Sequence, residues 1–190
     1  MDRLPDGPRA RKKNAARAGP VPPSAEPITA AGRTPGAGYL PLSIPLLALF
    51  ATAFIVRLGV SAELGQTALF RNAQLDSREY LSWAQRIAAG DFTWPVPPAH
   101  GPGYPFLLGA LLAMFNGSVP AVRLVQAALG AVTCLLAARL SGKLFGKNAE
   151  LATGLSLAFY GPLVLTDVSI LSEGLLLFFL CSAFLILSRG

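Results

Sequence analysis

Three carboxylates sit where charge is costly. Asp76 and Glu79 belong to the polar stretch Asp76-Ser77-Arg78-Glu79-Tyr80, and Glu173 interrupts an apolar run within Leu171-Ser172-Glu173-Gly174. Ionisable side chains lodged between apolar runs of membrane length are expensive, which makes them default candidates for chemistry. Two carboxylates that converge from separate loops can divide the work of a transfer reaction. One takes the proton from an acceptor hydroxyl while the other steadies developing charge or holds a divalent metal ion, with Asp76 the candidate metal-proximal group. A plainer reading stands beside this one. Asp76 has the form of a helix N-cap, and Glu79 sits three residues on, where a capping box is closed. Asp167, in the same late turn as Glu173, reads as a solvated charge at a helix end.

Four further side chains form the candidate substrate-binding set: Arg57, Arg123, His100 and Tyr104. Either arginine could bind a lipid phosphate through paired hydrogen bonds, or simply snorkel from an apolar run toward water. His100 is the sole histidine and lies in a Pro-Gly loop, as a candidate metal ligand or proton carrier. Tyr104, with Trp83 and Trp94, suits a membrane interface. Cys134 and Cys181 each lie within an apolar run and read as small buried hydrophobes, with neither a disulfide nor a metal site expected. No Gly-rich nucleotide loop, no cluster at metal-ligand spacing and no internal repeat occurs, so a nucleotide-using cytoplasmic enzyme is unsupported.

The elements that must position these residues follow from composition. Hydrophobic residues make up 53% of the 190 and charged residues only 14%, with a mean hydropathy of +0.51. A soluble domain carries roughly 25% charge, so the chain is a membrane protein. The net charge of +6 reflects topology rather than nucleic-acid binding, because the cations crowd into the N-terminal tail and the edges of the apolar runs. Residues 1–39 are basic and rich in Pro, Gly and Ala, the composition of a disordered cytoplasmic tail.

Apolar runs at 40–62, 119–140, 149–166 and 171–187 predict about four transmembrane helices. A short amphipathic helix is expected at 77–89, lying along the membrane surface with Tyr80, Trp83 and Ile87 on one face. The run at 104–115 is too short to cross comfortably and reads as interfacial. If it does not cross, Arg139, Lys143 and Lys147 share the cytoplasmic side with the basic tail. Asp76, Glu79, Asp91, His100 and the turn with Asp167 and Glu173 then share the extracytoplasmic side, as the positive-inside rule favours.

Motif order adds a resemblance. The pieces are Asp76-x-x-Glu79-Tyr80-x-x-Trp83-Ala84, then Gly101-Pro102-Gly103-Tyr104-Pro105, Arg123-Leu124-Val125-Gln126-Ala127, Tyr160-Gly161-Pro162-Leu163 and Leu171-Ser172-Glu173. In this order residues 40–190 resemble the N-terminal part of GT-C membrane glycosyltransferases, the group related to protein O-mannosyltransferases and lipid A aminoarabinose transferases. The resemblance implies an all-α integral membrane module with juxtamembrane helices in its first extracytoplasmic loop, truncated relative to relatives that have more spans. It also implies a polyprenyl-phosphate-linked sugar as donor, a lipid or protein acceptor, inversion at the sugar carbon, and residence in the cell membrane with the N-terminus cytoplasmic. Asp76 matches the first-loop acid of the family and Glu173 the acid of the second outward loop. The rival expectation, from a different class, is a small non-catalytic membrane protein that binds lipid or assists assembly, or an inactive fragment of such an enzyme.

Overall fold

The computed structural model describes residues 44–67, 70, 75–93 and 101–188, all within the unit Ala37–Gly190. The expected tail at 1–39 and His100 lie outside the described residues. Seven helices occur among those described: α1 (Ile44–Leu64), α2 (Leu75–Ala88), α3 (Gly103–Met114), α4 (Val119–Phe145), α5 (Lys147–Phe159), α6 (Gly161–Val168) and α7 (Glu173–Leu187).

Among the described residues, only α1 and α4 are single helices long and apolar enough to cross a bilayer. The 21 residues of α1 rise about 31 Å, the thickness of a hydrocarbon core. The run expected to cross at 149–166 is instead two helices, α5 and α6, bent by 60°. Pro162 explains the break. Its ring removes the amide hydrogen that would bond back to Ala158 and crowds that carbonyl, and Gly161 beside it adds little helix propensity. Pro162 is tolerated in the first turn of α6, where no such bond is required. The 15 residues of α7 rise only about 22 Å. Among the described residues there are therefore two candidate spans, or three if the bent pair counts as one, against the four expected.

The caps match local chemistry. Ser118 opens α4 by accepting a hydrogen bond from the Ala121 amide, with Pro120 in the first turn. Gly146 alone separates α4 from α5, at φ +95°, a conformation that a residue with Cβ resists. Glu173 stands in the first turn of α7, where a carboxylate complements the positive end of the helix dipole. Asp76 differs from the capping expectation: the helix already includes Leu75, so Asp76 lies within the first turn.

Two apolar clusters show how the helices run. One joins Leu46, Leu49 and Ala53 of α1 to Ala131, Cys134 and Ala138 of α4, with Ala158 and Leu163. The other joins Tyr80 and Ala84 of α2 to Tyr104, Leu108 and Leu112 of α3, with Val122 of α4 and Ile170. The start of α1 thus lies beside the last half of α4, and the two helices are antiparallel. At that end Lys143 Nζ donates to the Ser188 carbonyl at 3.2 Å, and Arg139 pairs with Glu150 at 3.4 Å. At the opposite end lie α2, α3, the start of α4 and the link before α7. Helices α2 and α3 pack together there rather than crossing. The apolar face of α2 is covered by α3 instead of lying free on a membrane surface. Gly109 permits the close approach, since a Cβ there would come within 2.7 Å of Ile87 Cγ2.

Candidate active site

The end that gathers α2, α3 and the link 169–172 also carries Asp76, Glu79 and Glu173. Tyr80 is four residues past Asp76 and therefore on the same face of α2. Its hydroxyl lies 3.2 Å from Ser172 Oγ, next to Glu173 in the chain. The Tyr80 ring meets Tyr104 edge-on at 4.9 Å. Tyr104 in turn accepts a 2.7 Å hydrogen bond from Gln126 Nε2 of α4. This chain of contacts ties α2, α3, α4 and the start of α7 at one place. Asp76 and Glu173 are exposed, Glu79 is half-buried, and Tyr104 is buried.

Arg123 is half-buried near the start of α4. Its Nη2 donates to the Phe70 carbonyl at 2.9 Å, and its guanidinium carbon sits 3.9 Å from the centre of the Phe70 ring. Its Nε is buried and has no hydrogen-bond partner among the described residues. A donor left in that state is ready to meet an anionic oxygen.

Arg57 corrects the phosphate-binding and snorkelling readings together. Its side chain is 0% exposed, and it pairs with Asp167, which is 3% exposed. Arg57 Nε and Nη2 reach Asp167 Oδ2 at 2.8 and 2.7 Å, and Nη1 donates to the Ala53 carbonyl at 3.0 Å. Nη2 also approaches Cys134 Sγ at 3.4 Å. With its donors so committed, Arg57 is a bundle-internal cation. Asp167, expected to be solvated, is its counter-ion. Gly130 makes the pair fit, because a Cβ at that position would collide with the Asp167 carboxylate and come within 2.7 Å of Arg57 Nε.

Beside this pair lies a groove of about 240 Å³. Apolar side chains of α3, α4 and α7 form most of its wall, while Tyr104, Gln126, Thr166 and Asp167 contribute the polar atoms. Among the described residues no three His, Cys, Asp or Glu side chains converge to hold a metal ion.

Residues 99–190 match the family model of the dolichyl-phosphate-mannose-protein mannosyltransferases. The GT-C resemblance holds over this segment. Comparison with curated proteins and comparison with solved structures each found no match. Over residues 99–190 the chain is similar to that mannosyltransferase family, and its long apolar helices suit a membrane setting. The motifs of α2, with Asp76 and Glu79, lie before the matched residues.

Sequence reasoning took Asp167 for a solvated charge and gave Gln126 no role of its own. The signal for Asp167 was present: it and Arg57 each interrupt an apolar run, and isolated charges in such runs usually find one another. For Gln126 there was no comparable signal, since a glutamine in a membrane helix can equally face a neighbour or a headgroup.

Proposed function

We propose that the protein transfers a sugar from a polyprenyl-phosphate donor to a hydroxyl-bearing acceptor on the extracytoplasmic face of the cell membrane. The observation that carries the reading is the gathering of α2 and the Ser172–Glu173 link at one end of the bundle, with Arg139 and Lys143 at the other. The family match supports the reaction class.

Asp76 takes the proton from the acceptor hydroxyl. The hydroxyl oxygen attacks the anomeric carbon from the side opposite the phosphate, and the bond from that carbon to the phosphate oxygen breaks. The electron pair departs with polyprenyl phosphate, giving inversion. Arg123, with its unpartnered Nε, meets the charge that grows on the leaving phosphate. Glu173 and Glu79 hold the acceptor side negative, and Tyr104 braces Tyr80 behind Asp76. The N-terminus is cytoplasmic in this arrangement.

Membranes that contain the protein are given a radiolabelled polyprenyl-phosphate sugar, and label transferred to lipid and protein fractions is counted. Asp76→Asn should lower transfer roughly 10²–10⁴-fold, the usual contribution of a general base. It should leave the protein folded, because Asp76 is exposed at a helix start. Full activity in Asp76→Asn removes that residue from the role. No transfer by the unaltered protein favours the non-catalytic lipid-binding or assembly reading.

A further inference from the structure

The groove between α3, α4, α6 and α7 has a feature that a plain apolar slot would lack. Asp167 spends only one of its carboxylate oxygens on Arg57: both guanidinium contacts go to Oδ2. The other oxygen, Oδ1, accepts no hydrogen bond among the described residues, and Asp167 lines the groove. Gly174 leaves the space before it open, since a Cβ at that position would come within 2.9 Å of Oδ1. Gln126 contributes a second unmatched group. Its Nε2 is engaged by Tyr104, and its Oε1 is buried without a partner among the described residues.

The two groups lie close together. Asp167 packs on Gly130, one turn past Gln126 on α4, and both Asp167 and Gln126 line the groove. Leaving polar atoms unmatched in an apolar wall is costly, and such sites are usually completed by a ligand or water.

We propose that this groove binds an uncharged, hydroxyl-bearing apolar chain, a lipid other than the acceptor whose hydroxyl Asp76 deprotonates, since Asp76 does not line the groove. The free carboxylate oxygen repels a phosphate, which argues against the donor headgroup at this point. The Arg57–Asp167 pair has no net charge, so a cationic headgroup finds no unbalanced anion to compensate its own burial. A hydroxyl suits both open groups. It donates to Asp167 Oδ1, and it can pair with the Gln126 carboxamide in either orientation, since it both donates and accepts. Apolar side chains such as Leu108, Leu129 and Phe179 accommodate the chain, and about 240 Å³ is too small for a bulky sugar diphosphate in addition.

The test reads binding without turnover. The intact protein in phosphatidylcholine vesicles is photolabelled with a diazirine-bearing long-chain primary alcohol, its methyl ether and its phosphate monoester. The labelled peptides are then mapped by mass spectrometry. The alcohol should label the α4 segment around Gln126 about tenfold more than the ether, as expected for one lost hydrogen bond to a charged acceptor. Gln126→Leu should erase much of that preference. Leu107→Trp, a change at a groove residue that is 39% exposed, should block labelling by filling the groove. Equal labelling by alcohol and ether, or stronger labelling by the phosphate, overturns the proposal. If the alcohol preference holds while sugar transfer fails, the groove stands and the reaction falls. If transfer proceeds with no alcohol preference, the reverse is true.

Discussion

Gly130→Ala is the sharpest probe of the bundle interior, because one methyl group tests the placement of two charges. In a helix interior the change should by itself help, since Ala exceeds Gly by about 1 kcal/mol. At this position the added carbon would collide with the Asp167 carboxylate and lie 2.7 Å from Arg57 Nε. Neither group can move freely: Arg57 is held by Ala53 and Asp167, and Asp167 is flanked by Gly174. Overpacking of a tight interior costs about 1–3 kcal/mol, and full separation of a buried pair costs about 3–5 kcal/mol. With a large part of the pair's interaction lost, the net destabilisation should be about 2–4 kcal/mol. A unit of this size shifts by roughly 2–4 °C per kcal/mol, so the midpoint should fall by about 4–16 °C. The assay is thermal unfolding in detergent, followed by helical circular dichroism, with Gly59→Ala as the control. Gly59 lies on α1 with nothing within 4 Å of a built Cβ, so that change should be neutral or stabilising. Equal midpoints for Gly130→Ala and the unaltered protein would refute the placement of the Arg57–Asp167 pair against α4.

Asp91 offers a pH-dependent signature outside the spans. Thr93 bonds its carboxylate through hydroxyl and amide at 2.6 and 2.9 Å, and Arg86 adds two hydrogen bonds at 2.8 and 2.7 Å. These partners, Thr93 foremost, pull its pKa down from 3.8 to about 2. The folded value is the depressed one, so the stabilisation is complete above the ordinary value and is lost as pH falls from 3.8 toward about 2. Carboxyl NMR should show a midpoint near 2 that rises in Thr93→Val, whereas a midpoint near 3.8 in the unaltered protein contradicts the bonding described. At the site itself, Tyr80→Phe should cost about 0.5–1.5 kcal/mol through loss of the hydroxyl contact with Ser172. Ser172→Ala should cost little more in that background, and strictly additive losses would show that the two hydroxyls do not interact.

Much of the helical order was readable in advance, and what escaped has a common cause. The expected helix at 77–89 is Leu75–Ala88, and the short run at 104–115 is Gly103–Met114. Both are marked by local signals: Asp76 at the start and Gly90 at the stop of the first, and for the second a length set between polar segments. The break within the span expected at 149–166 went unforeseen because hydropathy is blind to Pro162, although its breaking effect is local and was open to inspection. Which charge meets which is another matter. Arg57 and Asp167 are separated by 110 positions, and their pairing depends on α1 and α6 both reaching Gly130. The covered face of α2 is a tertiary outcome of the same sort, decided by Gly109 admitting Ile87.

The break and the ion pair make one mechanical unit. A straight helix through 149–168 would orient the following link by its own stiffness. Once Pro162 interrupts that helix, the eight residues of α6 have little hold on their own direction, because a helix so short is marginal without tertiary contacts. Asp167 supplies such a contact at the far end of α6, tied to Arg57 of the long helix α1. Five residues later Ser172 meets Tyr80, and Glu173 follows at the start of α7. The carboxylate of the second loop is thus referenced to α1 through a buried charge pair, and to α2 through a hydroxyl contact. An apolar pair could supply equal stability, since a buried ion pair gains little over packed hydrophobes. It could not leave Asp167 Oδ1 open at the groove. Keeping the charge therefore makes sense if that oxygen serves a ligand, whereas a purely structural role would be met as well by leucines.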